Sequence, residues 1–338
     1  MSPKITVFMA AYNVAEYISD SIQSVLNQSF EDFELLIVND GSTDNTVEVV
    51  NQFTDPRIRL VHNDKNRGLT YTRNVAVKEA RGAYIAILDS DDIALDNRLE
   101  LQYDFFQKNP EVALCGGQGI IIDRDGKLTG EKLTVPAGID QLKMLLLFNN
   151  TYINSSVMYK TAVLTELKGY EDYAPAEDYE LFVRIAENYP IANLQETLVQ
   201  YRVHENNTST LKFEQAKTNI RKIKKNQLAY LQLSADENMA DTLFSILMWD
   251  YKSFKLADYL HLFSALKSAN RQLKKFPVAE FEKLLFDKWF ETIYIKKAKM
   301  NALPLLLHKS LFEWSYLESR QLRKAFKLSL KGFGKLSK

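Results

Sequence analysis

Between residues 5 and 88 the chain alternates continuous apolar runs with longer segments whose apolar residues recur every three or four positions. Residues 5–10 (ITVFMA), 33–38 (FELLIV), 58–62 (IRLVH) and 84–88 (YIAIL) read as strands, and residues 15–28, 42–53 and 69–80 as helices. A strand that is apolar along its whole length must be covered on both faces, and strands joined through helices run parallel. The alternation therefore predicts an α/β fold, a Rossmann-like and mostly parallel sheet with helices on both faces.

Beyond residue 95 the order loosens. Residues 97–108 and 178–187 read as helices, and 112–115, 119–122 and 198–203 as strands, with DRDGKLTGEK at 123–132 as a loop. After residue 210 the pattern is helical only, with candidates at 213–232, 240–268, 278–300 and 310–330, and with Trp249, Trp289 and Trp314 as core aromatics. Charge changes at the same place. The net charge of zero divides into −13 for residues 1–210 and +13 for residues 211–338. We therefore expect two domains, 1–210 and 211–338. An acidic half attracts cations or cation-bridged ligands, and a basic half attracts phosphate-rich surfaces.

The single cysteine, Cys115, excludes an intramolecular disulfide framework and fits a reducing, cytoplasmic setting. The opening MSPKITVFMAAYN lacks the basic and then apolar pattern of a secretory signal, so none is expected. Apolar runs such as residues 144–148 are too short to span a bilayer.

In an open α/β sheet ligands bind at the carboxyl ends of the strands. Those ends read AAYN (10–13), NDGSTDNT (39–46), NDKNRGLTYTRN (63–74) and DSDD (89–92), all small, polar or aromatic and suited to a nucleotide. A Gly-x-Gly-x-x-Gly fingerprint and a Gly-Lys-Ser/Thr loop are both absent, so neither dinucleotide nor P-loop chemistry is indicated. The three carboxylates Asp89, Asp91 and Asp92 at the end of an apolar strand repel one another at low dielectric. A hard divalent cation, Mg²⁺ or Mn²⁺, relieves that repulsion and often takes one or two carboxylates plus substrate phosphates.

The stretches AAYN, NDGSTDNT, NRGLTYTRN, DSDD, APAEDYELFVRIA (174–186) and LVQYRVHENNTS (198–209), in this order and spacing, resemble family 2 glycosyltransferases of the GT-A type over roughly residues 4–210. The resemblance implies inverting, metal-dependent transfer of a hexosyl or N-acetylhexosaminyl group from a nucleotide sugar, with a UDP-sugar the expected donor. It implies that Ala10, Tyr12, Asn13, Asp40, Asn66, Arg73, Asp89 and Ser90 border the nucleotide. Tyr12 would lie against the base, Asp40 would accept from a uracil-type imide, and Asp89 would meet the ribose. Asn39 departs from the two aspartates often found in the family. Asp91, with Asp92 and His204, would hold the Mn²⁺ or Mg²⁺, and Asp178 would be the general base.

A glycan or lipid-linked glycan in bacterial surface-polysaccharide synthesis is the acceptor this analogy suggests. Two other readings stay open. A sugar-phosphate nucleotidyltransferase would share the sheet, but AAYNVAEY lacks the glycines and basic residues that hold a triphosphate. A non-catalytic nucleotide-binding or assembly subunit would share the site without the chemistry. Residues 320–338 carry seven basic and no acidic residues, with Leu322, Phe326, Leu330 and Phe333 near helical spacing, as in a membrane-surface helix on the inner face of the cytoplasmic membrane. Nucleic-acid binding is not expected, because no motif for it is present.

Overall fold

The computed structural model describes residues 2–139, 141–205, 212–234, 237–296 and 302–333, the side chains of 331–333 excepted. It divides into two compact units. The first holds residues 1–146 and 150–219, and the second holds 147–149 and 220–338.

In the first unit β1 (Ile5–Ala11), β2 (Phe33–Asn39), β3 (Ile58–His62) and β4 (Tyr84–Ile87) alternate with α1 (Ile18–Leu26), α2 (Thr46–Val50) and α3 (Leu69–Glu79). The strands stand in the order β3-β2-β1-β4, all parallel. β2 is buried at every position, as its unbroken apolar run requires. The chain winds one way from β1 to β3 and the other way to β4, so β1 and β4 flank the topological switch point where such sheets bind ligands. Ile87 lies opposite Phe8, and the chain leaves β4 while β1 continues to Ala11. DSDD therefore emerges alongside the last residues of β1.

After β5 (Ile93–Ala94) and α4 (Arg98–Lys108) the sheet becomes mixed, through β6 (Leu114–Ile122), β7 (Leu128–Leu133), β8 (Met158–Lys160) and β9 (Ile191–Arg202). β8 joins β4 and β6 antiparallel, and β9 runs parallel to β6. Between β7 and β8 come α5 (Leu142–Leu145) and a 3₁₀ turn (Asn154–Ser156), and between β8 and β9 come α6 (Thr161–Glu166) and α7 (Glu177–Asn188). α7 buries Leu181, Phe182, Ile185 and Ala186 on one side, which fixes the orientation of the acidic turn at its start.

Several expectations needed adjusting. The two strands at 112–115 and 119–122 are one strand, irregular in register around Gly116 to Gly119. A Cβ at Gly116 would stand 2.5 Å from Asn193 Oδ1, and one at Gly117 would stand 2.6 Å from Leu198 Cδ1. The expected loop at 123–132 contains β7, an exposed hairpin strand whose polar surface hid it. α2 starts four residues later than expected, because Ser42 and Asp44 bind the backbone leaving β1.

The second unit is helical among its described residues. It contains most of α8 (Phe213–Tyr230), then α9 (Glu237–Leu247), α10 (Leu256–Leu273), α11 (Val278–Ile295), α12 (Ala302–Leu306) and α13 (Ser319–Phe333). Its core is aromatic, with Tyr259, Phe263, Phe281, Phe286 and Trp289 buried. Trp289 is a core residue as expected, and its Nε1 donates to the Leu305 carbonyl at 2.8 Å. Trp249 and Trp314 are not core residues: they are 68% and 78% exposed. Trp249 has φ 54, a left-handed backbone that ends α9, so the single helix expected over 240–268 is two. Among the described residues no helix is long and apolar enough to cross a membrane.

Candidate active site

Polar side chains stitch the exits of β1 and β2 together. Asn13, at φ 53, accepts the Thr43 N–H on Oδ1 (2.8 Å), and its own N–H donates to Ser42 Oγ (3.1 Å). The Val14 N–H donates to Thr46 Oγ1 (2.9 Å). Ala10 is half-buried on the strand, and beside this stitched turn Tyr12 stands 45% exposed.

Asp40 is buried. Its carboxylate accepts from Asn63 Nδ2 (2.7 Å) and from the backbone N–H groups of Arg67 and Gly68 (2.9 Å each). It thereby folds the 63–68 loop against the end of β2. Asn66 is exposed in that loop, and its Oδ1 accepts the Gly68 N–H (3.1 Å). Asn63 also donates to Thr72 Oγ1 (3.1 Å), which links this loop to the turn of α3 that carries Arg73.

At the end of β4, Asp89 is half-buried. Its carboxylate takes Asn154 Nδ2 (3.1 Å to both oxygens) and Ser155 Oγ (2.9 Å), both from the 3₁₀ turn before β8. Ser90 is buried behind it. Asp91 Oδ2 lies 2.9 Å from His204 Nε2, whose ring stacks on Tyr17 at a centroid distance of 4.8 Å. Asp92 points inward and is buried, where its Oδ1 accepts the Arg202 N–H (2.7 Å). Arg202 also donates through Nε to the Asp91 carbonyl (2.7 Å), so the end of β9 clamps the acidic turn.

On the other side of Asp89, Arg73 is buried, with Nη2 3.9 Å from Asp89 Oδ1 and Nη1 2.7 Å from Glu177 Oε1. Glu177 is also buried, and Asp178 follows it at the start of α7. Asp89, Arg73 and Glu177 thus form one chain of charges from the end of β4 to the acidic turn of α7.

These surroundings move the acidities. Burial raises Asp91 above the usual carboxylate range; Asp89 adds to this and His204 opposes it. Asp92 is raised further by burial, then by Asp91 and Asp89. Burial is the largest influence and weakens the hold of Arg73 on its proton, but Glu177, then Tyr170, Asp89 and Asp178 together more than offset it and keep the guanidinium charged. Asp178 is pushed up to about 6, chiefly by burial, with the Glu177 charge adding and Arg73 opposing.

The profile of the family described as "Glycosyl transferase family 2" matches residues 6–165. The Escherichia coli protein "UDP-Glc:alpha-D-GlcNAc-diphosphoundecaprenol beta-1,3-glucosyltransferase WfgD" is 34% identical over 218 residues, 63% of this chain and 82% of WfgD. The chain belongs to glycosyltransferase family 2. A further E. coli relative of the enzyme, "O-antigen biosynthesis glycosyltransferase WbnJ", is 32% identical over 210 residues, 60% of this chain and 81% of WbnJ. The crystal structure of S. aureus TarS 1–349 in complex with UDP-GlcNAc shares the fold, with a TM-score of 0.58 at 19% identity over 98% of this chain and 92% of that one. The glycosyltransferase therefore has a GT-A fold with a helical region after it.

The residues named from the sequence form two connected groups in the enzyme. Ala10, Tyr12, Asn13, Asp40 and Asn66 lie at the exits of β1 and β2. Asp89, Ser90, Asp91, Asp92 and His204 lie at the end of β4, joined through Arg73 to the turn carrying Asp178. Sequence reasoning missed Asn154 and Ser155, which hold Asp89; the available signal was a run of small polar residues, NSS, just before a strand. It also missed Tyr17, which backs His204, and Tyr170, whose ring lies 5.4 Å from the Arg73 guanidinium.

Among the described residues no cluster of three or more His, Cys, Asp or Glu side chains is arranged to hold a metal. Asp91, whose side chain is partly open to solvent, and His204 offer one oxygen (Oδ2) and one imidazole nitrogen (Nε2) side by side, and the nearby Asp89 charge adds to burial in raising Asp91. That set fits Mn²⁺ or Mg²⁺, which commonly take few protein ligands and complete their shell with phosphates and water.

Proposed function

We propose that this glycosyltransferase moves a hexosyl or N-acetylhexosaminyl group, with inversion, from a UDP-sugar to a hydroxyl of a glycan or lipid-linked glycan acceptor in bacterial surface-polysaccharide synthesis. One observation carries the catalytic part of this reading. A titratable carboxyl, Asp178, lies next to Glu177, which is tied through Arg73 to Asp89 at the switch point of the sheet. The donor and acceptor classes rest on likeness to WfgD, whose name states a UDP-Glc donor and a diphosphoundecaprenol-linked acceptor.

In this reading Tyr12 offers its exposed ring to the base. Asp40 reads the base edge with the lone pairs left after it holds the 63–68 loop, where Asn66 borders the nucleotide. Asp89 and Ser90 take the ribose side. Arg73 acts from beneath, by fixing the orientation of Asp89 and Glu177. Asp91 and His204 hold the divalent cation, and Asp92 anchors their turn to β9. When bound there, Mn²⁺ or Mg²⁺ neutralises charge on the departing diphosphate.

The acceptor oxygen forms its bond to the anomeric carbon as the bond from that carbon to the diphosphate oxygen breaks. Asp178 takes the acceptor proton. One in-line displacement inverts the anomeric centre, and no second carboxylate is needed as a nucleophile. The enzyme is proposed to work on the cytoplasmic face of the membrane, as a peripheral protein.

Replacement of Asp178 by Asn tests the assignment. The variant is expected to bind UDP-sugar and metal as the native enzyme does, and to lose transfer by about 10²–10⁴-fold. Transfer at a native rate would rule out Asp178 as the base.

A further inference from the structure

The helix α13 turns its packed face and its apolar face in different directions. Gln321, Ala325 and Ser329 form the inner side and are buried. Gln321 Nε2 donates to Asp287 Oδ1 of α11 (2.7 Å), and Ser329 Oγ accepts the Leu303 N–H of α12 (3.1 Å). The Lys324 ammonium lies 4.9 Å from the Tyr294 ring centroid, also on α11. These contacts leave Leu322, Phe326 and Leu330, four residues apart in succession, as a solvent-facing stripe that is 40%, 53% and 52% exposed.

Helical spacing alone would assign such a stripe to the core. Here the small and polar residues pack, Leu328 is half-buried, and Leu322, Phe326 and Leu330 stay exposed. The exposed residues Arg320, Arg323 and Lys327 run along one edge of the stripe, and among the described residues none of the three pairs with a carboxylate. Phe333 and residues 334–338, the rest of the expected basic segment, lie outside the described side chains.

We propose that this face of α13 is a docking surface for a bilayer containing anionic lipid. The inference deepens the reading of the enzyme as a peripheral membrane protein, and it rests on that reading. Two features select the occupant. Charge of one sign, seven basic and no acidic residues over 320–338, complements anionic headgroups. The arrangement also suits an interface between water and hydrocarbon. Leu322, Phe326 and Leu330 can enter the acyl boundary while the neighbouring Arg and Lys stems lie along it with their charged ends at the phosphates. A protein partner covering the stripe would have to desolvate those same cations, and protein interfaces are depleted in lysine at their cores.

The test is co-sedimentation of the full chain with phosphatidylcholine vesicles, with and without phosphatidylglycerol. Native protein is expected to pellet with the phosphatidylglycerol vesicles and to be released by raised salt. Leu322→Ser/Phe326→Ser/Leu330→Ser should bind them at least about tenfold more weakly. Arg320→Glu/Arg323→Glu/Lys327→Glu should lose the preference for phosphatidylglycerol, by roughly fivefold or more per charge. Both triple variants alter exposed residues and are expected to keep the native melting temperature and UDP affinity, which shows that they fold.

Native protein that ignores phosphatidylglycerol, or a serine variant that pellets like the native chain, would overturn the proposal. So would a concentration-dependent dimer abolished by the serine variant without any vesicle binding, because the occupant would then be a second copy. Vesicle binding needs no nucleotide. Failure to turn over a UDP-sugar would therefore leave this result standing, and failure to bind vesicles would leave the donor chemistry standing.

Discussion

Asp178 is proposed to accept a proton, so it works only as the carboxylate. Its carboxyl is pushed up to about 6, first by burial and then by Glu177, against the pull of Arg73. Because the shift is upward, the active form is lost as pH falls through about 6, within the range where an ordinary aspartate would still be ionised. kcat/KM at saturating metal is therefore expected to be level above that pH and to drop about tenfold per unit below it. A profile flat down to about pH 4.5 would separate the limiting group from Asp178. The neighbouring Arg73–Glu177 pair helps so acidic a turn to tolerate burial: the two charges meet at 2.7 Å through Glu177 Oε1, and breaking such a pair leaves an uncompensated buried charge.

Two loops at the ends of β2 and β3 form the base side of the proposed nucleotide site, and they touch at Gly41. With φ 72, Gly41 occupies the left-handed region, and a Cβ there would stand 2.7 Å from the Asn66 backbone nitrogen. Gly41→Ala is expected to displace the 63–68 loop, weaken the hydrogen bonds that Asp40 makes to it, and cost about 1–3 kcal/mol of stability. UDP affinity should fall by about tenfold, which corresponds to about 1.4 kcal/mol of binding free energy. Urea unfolding and UDP titration of the variant check both, and native values in both would show that the two loops are not coupled.

Elements of this kind also show what the sequence could disclose. β1, β2 and β4 were legible because strands buried on both faces carry largely apolar runs, and the half-buried β3 because it falls in the same alternation with helices. DSDD was legible because clustered carboxylates after such a run call for an explanation. The exposed hairpin strand β7 was not, since only Thr, Gly, Glu and Lys stand between Leu128 and Leu133, with no apolar alternation to mark it. Nor was the break at Trp249, where an unbranched helical pattern continues through a left-handed residue with no glycine to mark it. The pairing of Arg73 with Glu177 joins residues 104 positions apart and follows from how α3 and α7 meet the sheet, which no local pattern encodes.

For the molecule as a whole, a net charge of zero conceals an acidic catalytic half and a basic helical half. Three of the acidic residues, Asp89, Asp91 and Asp92, cluster where a cation-bridged diphosphate would bind. The basic half includes a helix whose packed side is Gln321, Ala325 and Ser329 and whose Leu322, Phe326 and Leu330 face outward. Each half thus carries the charge opposite to the group proposed to bind it directly, a divalent cation for the first and anionic headgroups for the second. The claim on which the rest depends is that the β4 carboxylates hold a UDP-sugar through a divalent cation. Calorimetric titration of UDP into the full chain, with and without Mn²⁺, tests it most directly, with Asp91→Ala as the control. Binding is expected to require Mn²⁺ and to disappear in Asp91→Ala. UDP binding of equal strength without metal and in Asp91→Ala, or no binding under any of these conditions, would contradict that claim.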